Sequence, residues 1–263
     1  MSYTLFDAIL ALAGTLRESY AGAADSGTTT NVTDSRFHGD NTFFHEGTLL
    51  HIGKKDAREI VGVTTTSSLI AFTGAFSTSV TAGDQFMLVP PTYPKQQIII
   101  AINQALQAAG PMTQINEDID VVADTLEYSL ATEGISGIVR VETTSDTAAP
   151  YNYKRNAYWQ EANGYLMFES GREPTAAGTA LRIWYNDTHA WVSKMTDAIS
   201  SSIHPDRLRW EALANLLRWR YHLTNKDEEG TAVALNEATT MAAMMQRQHP
   251  IARVNREIKL AEW

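Results

Sequence analysis

The chain has 263 residues, 44% of them hydrophobic and 19% charged, which is enough apolar material for a substantial core and excludes wholesale disorder. A net charge of −9 and a pI near 5.2 speak against a surface that wraps nucleic acid. With no cysteine there is neither a disulfide framework nor a thiolate nucleophile nor a cysteine-bound zinc.

The charge is unevenly placed. From Ser201 onward nine Lys/Arg stand against eight Asp/Glu, a net +1 that leaves −10 on the first two hundred residues. No apolar run reaches the length of a membrane span. The opening MSYTLFDAILALAG has no basic residue ahead of its apolar core, and Asp7 interrupts it, so a cleaved leader is not expected.

In chain order, the spacing of Leu5, Ile9, Leu12 and Leu16 predicts an amphipathic helix over residues 4–20, with Thr4 as its cap. Residues 21–31, AGAADSGTTTN, read as a polar loop. Short strands follow at Gly47–Ile52, Arg58–Thr64, Ser68–Phe72 and Gln85–Val89, separated by turns at residues 53–56 and 81–84. Four strands this close predict a small antiparallel barrel or sandwich, with Ala57–Thr64 and Ser68–Thr73 as a hairpin.

The stretch PPTYPKQQIIIAINQALQAAGP predicts a helix at 94–109. Pro94 lies at its start, Gly110-Pro111 stops it, and Ile98, Ile102, Ala105, Leu106 and Ala109 form one apolar face. That helix is expected to be the core piece joining two β-rich blocks. Further strands are expected at Leu126–Leu130, Gly137–Glu142, Tyr165–Glu169 and Ala180–Tyr185, with the aromatic stretch Tyr151–Trp159 as a connection. Helices are predicted at 205–223 and 227–248, the second ended by His249-Pro250.

The fold class is therefore α+β. A helical core of about four helices spans residues 1–249, with one β module at 27–90 inserted between helices one and two and a second at 121–190. Residues 250–263 form a separate tail. It carries Ile251, Val254, Ile258, Leu260 and Trp263, with Arg253, Arg256 and Lys259 among them, and apolar residues at the end of a chain usually dock.

The helix at 205–223 has two apolar sectors. One holds Leu208, Ala212, Leu216 and Trp219, the other Trp210, Leu213, Leu217 and Tyr221. Arg207, Arg218 and Glu211 lie on one line between them, with Arg209 and Arg220 nearly opposite. Such a helix is wedged between two neighbours, and its arginines either pair with carboxylates or meet another subunit.

No motif names a chemistry. His38, His45 and His51 have spacings that match no metal site, and the acidic run 116–120 lacks the glycine and distal glutamate of a calcium loop. There is no nucleophile elbow, phosphate loop or dinucleotide fingerprint. The reading is non-enzymatic, with no catalytic residue, metal or cofactor.

The succession Glu59-Ile60-Val61-Gly62-Val63, Leu69–Phe72, Ser79-Val80-Thr81-Ala82-Gly83-Asp84-Gln85-Phe86 and Pro91-Thr92-Tyr93-Pro94, followed by an Ile-rich helix, resembles virion structural proteins of tailed bacteriophages. It is most similar to neck proteins, the head-to-tail connectors or adaptors beneath the portal, over roughly residues 25–185. The resemblance implies a homo-oligomeric ring, commonly of twelve copies like the portal. Its partners would be the portal and a downstream neck or tail protein, and DNA would pass through an acidic lumen without specific binding.

It further implies a place in the virion neck after synthesis in the host cytoplasm, with no membrane partner. Ile251, Arg253, Val254, Arg256, Ile258, Leu260 and Trp263 would dock on the portal or a neighbouring subunit, and Arg209 and Arg220 would be inter-subunit contacts. Two alternatives stand beside it. One is a tail-proximal or tail-terminator ring. The other is a glycan-binding virion module using Tyr151–Trp159 as a stacking platform, with a hydrolase of scattered carboxylates as a weaker rival.

Overall fold

The computed structural model describes residues 3–16, 18–37, 43–64, 66–146, 148–175, 179–224 and 229–251. It is mixed α+β, with four helices and antiparallel sheets among those residues. The chain groups into two compact units, one of Met1–Ala108 with Ala190–Pro250, the other of Ala109–His189 together with Ile251.

In the first unit, helix α1 (Leu5–Ala13) starts at a capping box in which Thr4 and Asp7 satisfy each other's backbone N–H groups, so the expected cap is the observed one. Lys55 Nζ, in the turn at residues 53–56, lies 3.0 Å from the Asp7 carboxylate. The helix is shorter than its apolar spacing predicts. Gly14 closes it, and the hydroxyls of Thr15 and Ser19 take up the carbonyls of Leu12, Ala13 and Leu16.

Seven strands follow: β1 (Tyr20–Ala23), β2 (Ser26–Gly27), β3 (Asn31–Thr33), β4 (Thr48–His51), β5 (Asp56–Thr64), β6 (Leu69–Phe72) and β7 (Gln85–Val89). They form one antiparallel sheet in the order β1-β7-β4-β5-β6-β3-β2. The expected hairpin is β5–β6, with Thr64 opposite Leu69. Residues 21–31, expected as a loop, supply most of β1, all of β2 and the first residue of β3. They are small because the sheet is crowded there: a Cβ on Gly22 would lie 2.4 Å from Asp34 Oδ2 and 2.7 Å from the Phe86 ring.

The end strands β1 and β2 are consecutive in the chain, separated only by Ala24 and Asp25, so the sheet curls until its two ends meet. Inside the curl Phe37, Leu49, Ile60, Ile70, Phe72, Phe86 and Leu88 form the core. Asp34 is fully buried at its rim, accepting from Tyr20 Oη at 2.8 Å and from Arg36 Nε at 3.1 Å.

Helix α2 (Lys95–Ala108) starts just after Pro94, whose carbonyl accepts from Gln97 and Ile98, and Gly110 follows it at φ 74°. Helices α3 (Pro205–Leu223) and α4 (Glu229–Gln248) complete the unit. The organising helix is α3 rather than α2, since α1, α2 and α4 all pack on it. Its two apolar sectors therefore meet three neighbours instead of two.

The segment before α3 is held by α1 and α2. Leu5 and Phe6 donate their backbone N–H groups to the carbonyls of Asp197 and Met195, and Ile199 N donates to Tyr3 O. Buried Asn103 in α2 accepts from Val192 N and donates to Val192 O, each at 2.8 Å.

The second unit holds two sheets. One, β11-β10-β14-β8, is built from β8 (Met112–Asn116), β10 (Ile138–Thr143), β11 (Lys154–Asn156) and β14 (Arg182–Asp187). The other, β12-β13-β9, is built from β9 (Glu127–Ser129), β12 (Trp159–Ala162) and β13 (Tyr165–Phe168). Part of the aromatic stretch expected as a connection is thus strand. The Glu161 carboxylate joins the sheets, accepting from Gly137 N at 3.0 Å and Ile138 N at 2.9 Å, over a core that includes Tyr128, Ile138, Leu166 and Ile183.

Candidate assembly surface

Helix α3 carries both kinds of arginine that its spacing separates. Arg207 and Glu211 are buried, with side chains 10% and 7% exposed, and pair at 3.0 Å. An unpaired charge there would be costly, and the pair has neutral partners as well. Gln246 of α4 donates to Glu211 Oε1 at 2.9 Å, and Arg207 donates to His249 O at 3.2 Å. This is the intramolecular pairing that the wheel allowed, and it clamps the C-terminal end of α4 onto α3.

Arg209 pairs with Asp206 one turn earlier at 2.9 Å and lies over the Trp210 ring at 5.4 Å. Burial, aided by the charge of Asp7, pushes the nearby Tyr3 hydroxyl up to about 12, partly offset by Arg209. Arg220 sits deeper, its side chain 13% exposed, over the Tyr93 ring at 4.9 Å and 3.6 Å from Glu18 Oε2. Thr92 donates to the same carboxylate oxygen at 3.1 Å. Both arginines are therefore engaged within the first unit.

Arg220 and Glu18 belong to a groove of about 490 Å³ among the end of α1, Tyr93, α3 and the first half of α4. Leu213 and Leu217 of α3, Leu16, and Ala234 and Ala238 of α4 line it, with Glu237 and Trp210 beside them. The Trp210, Leu213 and Leu217 sector is legible in sequence as an apolar face. Glu18 and Tyr93 carry no sequence signal that places them in a groove.

Next to the groove, α4 turns a weakly charged face to solvent. Only Glu229, Glu237 and Arg247 are charged among its 20 residues, and Thr231, Ala238 and Ala242 are its buried ones. Val233 is 64% exposed and Met244 40%, with Leu223 at the end of α3 at 64%. A solvated helix ordinarily carries charge on its outer face.

Of the tail residues, Ile251 is half-buried, while Arg253, Val254, Arg256, Ile258, Leu260 and Trp263 lie outside the described residues. In the second unit the proposed stacking rings are already engaged. Trp159 packs against the core, Arg172 covers Tyr158 at 4.5 Å, and Arg182 covers Tyr153 at 4.0 Å.

His38 also lies outside the described residues, His45 is 3.9 Å from Glu46, and His51 is buried with Nε2 3.3 Å from Asp84 and its ring against Phe76. Among the described residues no group of three or more His, Cys, Asp or Glu is placed to hold a metal, and no helix is long and apolar enough to cross a membrane. In the acidic run, Asn116 accepts from Asp118 N and Glu117 pairs with Arg182. No protein-family model matches the chain, and no curated protein is significantly similar to it.

Proposed function

We propose that this protein is a non-enzymatic structural subunit that works by self-assembly, and that its assembly is a ring in the neck of a tailed bacteriophage. The observation that carries the assembly part is the outer face of α4, with three charges in 20 residues and Val233 and Met244 exposed. Together with the apolar groove beside it, this is the surface expected of a chain that meets further copies. The neck assignment rests on the sequence resemblance over residues 25–185.

In this reading the helical elements form the body of the subunit, the seven-stranded sheet is an insertion between α1 and α2, and the second unit is an appended β module. The ring has the portal's symmetry, commonly twelve copies, and joins the portal above to a neck or tail protein below. The charge of −10 on the first two hundred residues suits a conduit through which DNA slides without adhering. Arg209 and Arg220 contribute to subunit contacts, Arg220 from the groove that it lines, and the tail beyond Pro250 docks on the portal or a neighbour.

The test is the native mass of the purified chain, alone and mixed with a portal. A ring-sized oligomer, or a monomer that becomes one on the portal, is the expected result. A monomer that ignores the portal overturns the reading.

A further inference from the structure

Helix α4 carries five residues in line on the side away from its buried Thr231, Ala238 and Ala242: Val233, Glu237, Thr240, Met244 and Arg247. They stand four, three, four and three residues apart, the seam spacing of helices that pack side by side. All five are exposed, and neither Glu237 nor Arg247 forms an ion pair with a described residue.

The line is its own complement when reversed. Counting from Ala242, Glu237 stands five residues before and Arg247 five after, while Thr240 and Met244 stand two before and two after. Turned end for end, it sets a base where it had an acid and an acid where it had a base. Two such helices laid antiparallel bring each Glu237 level with the partner's Arg247, and each Met244 level with the partner's Thr240. In a parallel pair Glu237 would face Glu237 and Arg247 would face Arg247, which repel at both places. The ten residues from Glu237 to Arg247 rise about 15 Å, so both ion pairs and the methionine contacts fit within the helix. Val233 then reaches the end of the partner's helix.

We propose that α4 packs antiparallel on α4 of a second copy of this chain, across a two-fold axis level with Ala242. The partner is the chain itself because charge and spacing on this face match the same face reversed. Such a contact closes after two copies, so it does not run round a ring; it joins two rings face to face, or two single copies away from a portal. It rests on the α4 face that carries the assembly reading above, and not on the neck assignment.

The test is the native mass of four full-length proteins: the unmodified chain, Glu237→Arg, Arg247→Glu, and the double variant Glu237→Arg/Arg247→Glu. Both positions are exposed, so the fold tolerates the changes. The unmodified chain and the double variant are expected to hold an even number of copies, two at least. Each single variant sets like charges level with each other and weakens the association by about tenfold or more. Mixed in equal amounts, the two single variants associate again, since one copy then brings two cations to the seam and the other two anions.

An unmodified chain of a single copy overturns the proposal. So do single variants that associate as the unmodified chain does, or a mixture that does not recover. The ring reading is judged apart, by adding a portal. Single variants that still form a ring there keep that reading, whereas an unmodified dimer that ignores the portal keeps this contact while that reading falls.

Discussion

Asn103 is a fully buried polar residue at the edge of the apolar face of α2, and its amide explains why it is there. It forms a two-way pair with the backbone of Val192 and also donates to Ile99 O, so three buried hydrogen bonds depend on one side chain. In Asn103→Leu the buried N–H and C=O of Val192 lose their partner, at about 1–3 kcal/mol for each unsatisfied group. A fall in the denaturation midpoint with unchanged slope is the expected measurement, and a midpoint equal to wild type would contradict the account.

Tyr20 makes a different kind of prediction. Burial, together with the hydrogen bond and charge of Asp34, pushes its hydroxyl up to about 12. The folded state thus keeps a proton that the unfolded state releases near the ordinary tyrosine value of about 10. Stability from this group is complete below that value and is lost as pH rises toward 12. In Tyr20→Phe the alkaline loss of stability should be shallower across that window, as followed by denaturant titration.

His51 has the opposite sense. Burial, and next the charge of Lys54, lower its pKa below the usual 6.5 despite the opposing pull of Asp84. Its stabilising share is present above that value and is lost as pH falls below it, so His51→Gln should flatten the slightly acid limb of the stability curve.

At the scale of elements, the Arg207–Glu211 pair fastens two helices with one buried charge pair. Removing one partner leaves the other charge buried, and such losses run to about 3–5 kcal/mol. Glu211→Ala should therefore destabilise the first unit by that order. It should also raise amide exchange first in the last turns of α4, where Gln246 loses its acceptor and Arg207, which donates to the His249 carbonyl, loses its counter-charge. Uniform exchange along α4 would contradict a local clamp.

These helices were the readable part of the sequence. Pro205 and Leu223 bound α3 as predicted, because a proline start and an apolar stripe of helical period are local signals. The residues at 21–31 and 154–162 were not readable as strands. The first set is small because neighbouring side chains approach closely at Gly22, and the second is polar and aromatic because one face stays wet. Both reasons lie in distant parts of the chain. The groove was half legible: the floor of α3 shows in its spacing, whereas Glu18 and Tyr93 arrive there through loops that no periodicity describes.

At the scale of the whole molecule, the two units differ in how they end their sheets. In the first, β1 and β2 are joined through Ala24 and Asp25, β2 is only two residues long, and Arg36 donates to the carbonyl of Ala23. In the second, β8, β11, β9 and β12 are all outermost strands, and Ile115 on β8 is 50% exposed. Outermost strands present unpaired backbone groups that invite another strand. Among the described residues, the open sheet edges that invite disordered aggregation lie within 109–189. Lysine placed at Ile115 should raise the concentration at which the protein stays clear on warming, and the same change at Val61 on β5, an inner strand of the curled sheet, should not.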